Sequence, residues 1–180
     1  MKNLFLIIFL ILESCKSEPK GANGVDQSVY ELWNDFTASN PEYKKSELPE
    51  SWFFHDNKAD ADRLTELTLS GKKKASSGLY FWYQEANADL PKVGTKHIIT
   101  DFDGKAKAII KITEVDTIPF HEISDEYAAM DMGTTTEPLK KWKKAHWDFF
   151  ANAMKESGQE PTKKMLVVCE QFETIWPKQH

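Results

Sequence analysis

Arginine is almost absent from this chain: of its 23 basic residues only Arg63 is not a lysine. Arginine grips phosphates with a rigid fork whereas lysine offers a mobile point charge, so the scarcity argues against an extended RNA-binding face. Cysteine is equally scarce, with Cys15 and Cys169 alone, which excludes a disulfide framework. The five histidines show no ligand spacing with cysteines or carboxylates, so neither a metal site nor a cofactor is expected. A basic excess is missing too, and a net charge of −5 gives no global attraction to nucleic acid. Apolar runs stay short of the roughly 20 residues that a membrane-spanning helix needs. What the chain does have is aromatic bulk. Eleven Phe, six Trp and five Tyr in 180 residues supply the core of one domain without disulfides or metal.

The N-terminus reads as a targeting segment. Lys2 precedes the unbroken apolar run Leu4 to Leu12, which has the architecture of a signal-peptide core. It leads into Leu12-Glu13-Ser14-Cys15, which is similar to a bacterial lipobox, with Glu13 departing from the usual small or apolar residue. The expectation is a signal peptide over 1–14 and a lipid on Cys15. A tether of Gly, Pro and polar residues over 15–27 would join it to one domain over 28–178. An acylated Cys15 would place the protein outside the cytoplasm, anchored to a membrane on the periplasmic or cell-surface side. It would also leave Cys169, within the apolar run Met165 to Cys169, packing as a small hydrophobe.

Periodicity predicts helices over 28–38, 57–70, 122–132 and 137–157. The last carries a stripe of Trp142, His146, Phe149 and Phe150. Gly71 stops the second helix, and Lys72 to Ser77 reads as a charged, hydroxylated turn. The aromatic segment Leu79 to Tyr83 predicts a strand. Further strands are expected over 96–102 and 105–116, joined at Asp103-Gly104, and over 164–175. Helices first and interrupted strands after give an α+β arrangement.

Several segments, taken in order, resemble the ASCH domain in its YhfF-type bacterial branch. They are Phe54-His-Asp-Asn57, Leu67-Thr-Leu-Ser-Gly71-Lys-Lys73-Lys-Ala-Ser76-Ser, Leu90-Pro-Lys-Val-Gly94, Ile112-Thr-Glu-Val115, Lys141-Trp142-Lys-Lys-Ala-His146 and Val168-Cys-Glu170-Gln-Phe172. The resemblance implies a PUA-like fold, a small β-barrel with flanking helices, and a cleft beside the turn after Gly71. It also implies an RNA, nucleotide or nucleoside ligand. Some small members look like amidohydrolases that deacylate a modified cytidine with a Lys, a Thr and a Glu. These positions carry over to Lys73, Ser76 and Asp131, with Ser in place of Thr and Asp in place of Glu.

A serine hydroxyl needs an adjacent base. Lys73 and Ser76 are three apart, a spacing that a strand splits between faces and a helical turn unites. The pairing therefore demands a turn after Gly71. Lys72 and Lys74 are candidate ligand contacts, as are Ser77, Glu114 and Glu170. The two glutamates alternate with apolar residues and so are read as pointing inward, toward the cleft or toward buried structural partners. Asp131 reads either as an orienting carboxylate or as a surface residue near a helix end. His146 reads as a core histidine. Lys140, Lys141, Lys143 and Lys144 read as the solvated side of their helix, with a nucleic-acid patch as the minor alternative. Three functions follow: a domain binding a nucleoside-like or nucleotide-like ligand (RNA included), an amidohydrolase on an acylated nucleoside, or a structural lipoprotein. Binding ranks first, because export removes cellular RNA and because the Thr and Glu types are replaced.

Overall fold

A computed structural model describes residues 24–178. The apolar run, Cys15 and the tether up to residue 23 lie outside the described residues. Five helices surround one five-stranded sheet. In chain order they are α1 (Gln27–Ser39), β1 (Ser51–Trp52), α2 (Lys58–Leu69), β2 (Ala75–Leu79), α3 (Tyr80–Ala86), β3 (Lys96–Thr100), β4 (Ala106–Pro119), α4 (Asp125–Met132), α5 (Pro138–Glu156) and β5 (Leu166–Trp176). Among the described residues no helix is long and apolar enough to cross a membrane.

The sheet runs β1-β3-β4-β5-β2. Only the β1–β3 pair is parallel, with Ser51 opposite Ile98. The edge strands β1 and β2 do not pair with each other, yet Trp52 of β1 and Ser76 to Gly78 of β2 line one cavity. The sheet therefore curls until its two edges face each other across that cavity, an open barrel with a mouth. This agrees with the α+β barrel expected from the sequence.

Local chemistry explains the helices. Asp26 caps α1 by accepting from the Ser28 backbone N–H, and the Ser28 hydroxyl accepts from the Ala106 N–H at 2.8 Å, tying α1 to the start of β4. Val29, Trp33 and Phe36 then pack on Ile98 and Ile109. Asn57 caps α2, its side chain accepting from the Asp60 N–H. On the opposite face of the sheet, Leu64 and Leu69 of α2 pack against Ile99, Ile110 and Phe172. Helices α4 and α5 cover β2 and β5, burying Tyr127, Trp142 and Phe150 with Leu79 and Val167.

Two sequence expectations change. The first concerns the residues read as a turn and the aromatic strand that follows them. Ala75 to Leu79 form the strand, pairing with β5 from Gln171 back to Val167, and Tyr80 to Ala86 form a short helix. Aromatic residues favour strands only where a pleated neighbour is offered. Here the partner ladder runs out at Leu79, and Trp82 instead meets Phe150 edge-on at 5.7 Å. The second concerns β4, whose register slips between Ile112 and Glu114. This bulge breaks strict alternation, so Glu114 points to solvent and accepts a hydrogen bond from Gln171.

Candidate ligand-binding site

The mouth between the sheet edges is a cavity of about 670 Å³. Its walls are aromatic: Trp52 from β1, His97 from β3, and Trp82 and Tyr83 from α3. His97 meets Trp52 edge-on at 5.9 Å, and its Nδ1 is buried without a hydrogen-bond partner. Ser76 and Glu170 are register partners on β2 and β5, and both line the cavity. Burial pushes the Glu170 carboxyl up to about 7, against the opposing hydrogen bond from Tyr83. Glu50 and Asp89 also line the mouth. Its one ammonium, Lys92, is paired with Asp89 at 2.9 Å. The lining is thus aromatic and acidic.

Behind β2 lies a buried polar network centred on Asp131. Lys73, only 3% exposed, forms an ion pair with Oδ1 of Asp131 and donates to its backbone carbonyl at 2.8 Å. Oδ2 accepts from the Ser77 hydroxyl at 2.6 Å and from the Trp142 indole N–H at 2.8 Å. His146 Nε2 stands 3.3 Å from the same oxygen, while its Nδ1 faces the Trp142 carbonyl. The Lys73 ammonium also lies 5.0 Å from the centre of the Phe54 ring. Burial alone would raise the Asp131 carboxyl, but Lys73 and His146 outweigh it and hold the group well below the usual carboxylate range. Tyr127 donates to the Ser76 carbonyl at 2.6 Å, fixing β2 from the same side. The network opens on its far side into a smaller cavity of about 160 Å³, lined by Arg63, Lys73 and His146 among others.

Gly133 ends α4 with φ +62°, and a Cβ there would lie 3.3 Å from Leu67 and 3.4 Å from the Lys73 backbone nitrogen. That close approach brings the Lys73 segment against α4, where the Lys74 N–H donates to the Met130 carbonyl at 2.9 Å.

The proposed residues are therefore divided. Lys73, Asp131 and Ser77 come together. Ser76 does not join them, because the chain after Gly71 is extended: Phe172 N–H donates to the Lys74 carbonyl, continuing the β2–β5 ladder. Strand alternation then sends Ser77 to the Asp131 side and Ser76 to the mouth. The Lys73 ammonium in its ion pair has no lone pair to offer Ser76. Asp131 is buried rather than on the surface, and His146 has a partner at both nitrogens. Lys72 and Lys74 are exposed and line neither cavity, and Glu114 is outside both. Sequence reasoning missed Trp52, His97 and Glu50 as lining residues and put Trp82 on a strand. The aromatic richness of 79–83 was the available signal, but a strand assignment hid which rings would face outward. Among the described residues no cluster of three or more His, Cys, Asp or Glu is placed to hold a metal.

The ASCH domain family matches residues 50–176. An ASCH domain from Lactobacillus crispatus JV V101 superposes with a TM-score of 0.77 at 28% identity, covering 85% of this chain and 97% of its own. A protein from Enterococcus faecalis V583 superposes with a TM-score of 0.74 at 27% identity over 85% of this chain and 97% of its own. Comparison with curated proteins gave no match. ASCH domains are PUA-like and are associated with binding RNA and other nucleic acids. The matched span takes in β1 through β5, and with it both the mouth and the Asp131 network, so this chain belongs to the ASCH domain family.

Proposed function

We propose that this chain binds a nucleoside-sized ligand in the mouth between β1 and β2. The lining carries the reading. Trp52, Trp82 and Tyr83 offer faces and edges to a flat heterocycle, and the single ammonium, Lys92, is already neutralised by Asp89. Glu50 and Glu170 make the mouth unfavourable for a phosphate chain, so a base and sugar suit it better than a nucleotide or an RNA backbone. Titration of the purified protein with unphosphorylated nucleosides, followed by tryptophan fluorescence, should show saturable binding that Trp52→Ala and Trp82→Ala weaken. Equal or tighter binding of the 5′-monophosphates would remove this reading.

A hydrolytic alternative has one observation in its favour. Ser76 shares the mouth with Glu170, whose carboxyl at about 7 is matched to proton transfer near neutral pH. In that scheme Glu170, rather than Lys73, takes the proton of the Ser76 hydroxyl as its oxygen attacks the amide carbon, and returns it to the departing amine. Water, deprotonated by the same carboxylate, then releases the acid from Ser76. Turnover of N-acylated nucleosides lost in both Ser76→Ala and Glu170→Gln would support it; turnover intact in either would not.

The anchor is a separate proposal, supported by the apolar run before Cys15. Metabolic labelling with a fatty acid should mark the wild-type chain and not Cys15→Ala. Label retained by that variant would rule the anchor out.

A further inference from the structure

The mouth sets three carboxylates against one ammonium. Glu50, Asp89 and Glu170 line it together with Lys92, and Lys92 is tied to Asp89 at the exposed rim. Among the described residues Glu50 and Glu170 have no ion-pair partner. His97 adds no positive charge at neutral pH, because burial lowers its ring below the usual histidine range against the opposing pull of Glu50.

The rings that share this space are braced by other rings. Trp52 on β1 meets Phe54 edge-to-face at 4.9 Å as well as His97. Trp82 on α3 meets Phe149 at 5.8 Å and Phe150 at 5.7 Å in the same way. Strand alternation puts Gly78 on the side of β2 that Ser76 occupies. A Cβ on Gly78 would lie 3.7 Å from the Tyr83 ring and 3.9 Å from the Trp82 ring. Both rings therefore stand over the strand at one edge of the mouth, with Trp52 on the other edge. Walls fixed in advance cost a ligand little ordering.

We propose that the mouth selects a flat ring carrying a delocalised positive charge, an N-alkylated heteroaromatic cation, held between Trp52 and the Trp82–Tyr83 wall with Glu50 and Glu170 as its counter-charges. This rests on the mouth taking a flat heterocycle, as proposed above, and adds the charge that the heterocycle carries. A neutral ring gains from stacking alone. A cationic one is also drawn to the ring faces and to the carboxylates in a half-buried site. A metal ion would meet carboxylates but no closed ligand set, since among the described residues no three His, Cys, Asp or Glu are placed to hold one. A compact aliphatic ammonium would leave most of the roughly 670 Å³ unfilled. Glu170 supplies a readout. Its carboxyl, pushed up to about 7 by burial, is partly protonated in the free protein at neutral pH, and a cation beside it favours the ionised form. Binding therefore releases protons, and affinity for the cation rises with pH through that value. The titratable groups around Glu170 are Tyr83 on α3, Cys169 on its own strand and Asp131 behind β2, with Glu50, Asp89, Lys92 and His97 on the other walls of the mouth.

The test is titration calorimetry of the full chain with two matched pairs, 1-methyladenosine against adenosine and 1-methylnicotinamide against nicotinamide. The cationic member should bind about tenfold or more tighter than its neutral counterpart at pH 7. Glu50→Gln should narrow that ratio while leaving the neutral ring's affinity unchanged. Repeating the 1-methylnicotinamide titration in buffers of different ionisation enthalpy should show proton release, which Glu170→Gln abolishes. Far-ultraviolet circular dichroism checks that each variant is folded. A preference confined to 1-methyladenosine supports the proposal with a nucleoside as the source of the cation. A preference confined to 1-methylnicotinamide supports it with a pyridinium as the source and removes the nucleoside reading. Neutral and cationic rings binding alike would overturn this inference and leave the nucleoside reading intact, whereas no binding of any of the four would overturn both. Tetramethylammonium binding as tightly as the flat cations would also overturn it, since charge without a ring would then suffice.

Discussion

Removing the negative charge at Asp131 takes the anion out of a buried ion pair. Asp131→Asn keeps the side-chain shape and one acceptor, but it turns an amide N–H₂ toward a site already filled with donors. Lys73 would keep its charge while only 3% exposed, with the Asp131 carbonyl as its remaining hydrogen-bond acceptor. Leaving one member of a buried ion pair uncompensated costs about 3–5 kcal/mol. Ser77, Trp142 and His146 also compete for the surviving oxygen, and each donor left unpaired adds about 1–3 kcal/mol. Against a typical domain stability of about 5–15 kcal/mol this approaches global unfolding. Lys73→Met should cost less, near the lower end of about 3–5 kcal/mol, because the carboxylate retains its other donors. The assay is urea denaturation at pH 7, with the midpoint shift read at unchanged slope. In the Lys73→Met background Asp131→Asn should cost about 1–3 kcal/mol less than in wild type. Its sign with pH is also fixed. A carboxyl held below its unfolded value of about 3.9 contributes fully above that value and loses its contribution as pH falls through it toward the native value. The gap between wild type and Asp131→Asn should therefore close in strong acid, where the carboxylate is protonated. A cost for Asp131→Asn under about 1 kcal/mol, or strict additivity with Lys73→Met, would refute the keystone role given to this carboxylate.

Three further outcomes are expected. Glu170→Gln should gain stability over wild type as pH rises from the ordinary glutamate value of 4.5 toward about 7 and hold that gain above it, reaching up to about 3 kcal/mol; a pH-independent difference would contradict the raised carboxyl. Thr65→Val removes the 2.9 Å hydrogen bond from a buried hydroxyl to the Thr100 carbonyl and should cost about 1–2 kcal/mol in the same denaturation assay, whereas unchanged stability would mean the carbonyl finds another partner. Cys169 is buried and its thiol is pushed up to about 12 by that burial, so a thiol-specific chromogenic reagent should react at this position only as fast as the fold opens. Prompt reaction in a Cys15→Ala chain without denaturant would show the β5 interior to be accessible.

Four of the five helices were legible because their signals are local. Trp33 and Phe36 on α1, and Trp142 and Phe150 on α5, sit where the 3.6-residue period puts them. The pairing of Lys73 with Asp131 spans 58 residues; only the family resemblance placed both at one site, since no spacing rule links such distant positions. Three details were not legible, each for a phase reason. The boundary between β2 and α3 depends on where β5 stops offering partners. The direction of Glu114 depends on a bulge that inserts one residue into the alternation. The division between Ser76 and Ser77 turns on a single-residue register, and a strand sends neighbours to opposite faces. Adjacent serines of equal chemistry carry no mark of which will meet the carboxylate.

Strand β2 is one peptide thick and has a different neighbour on each side. A molecule settling against Ser76 presses on the same backbone that holds Ser77 to Asp131, and Asp131 in turn accepts from the indole N–H of Trp142, nitrogen to oxygen 2.8 Å. That proton is a built-in reporter: its nuclear magnetic resonance line should move when the mouth fills, although the ring itself is fully enclosed and touches nothing that enters.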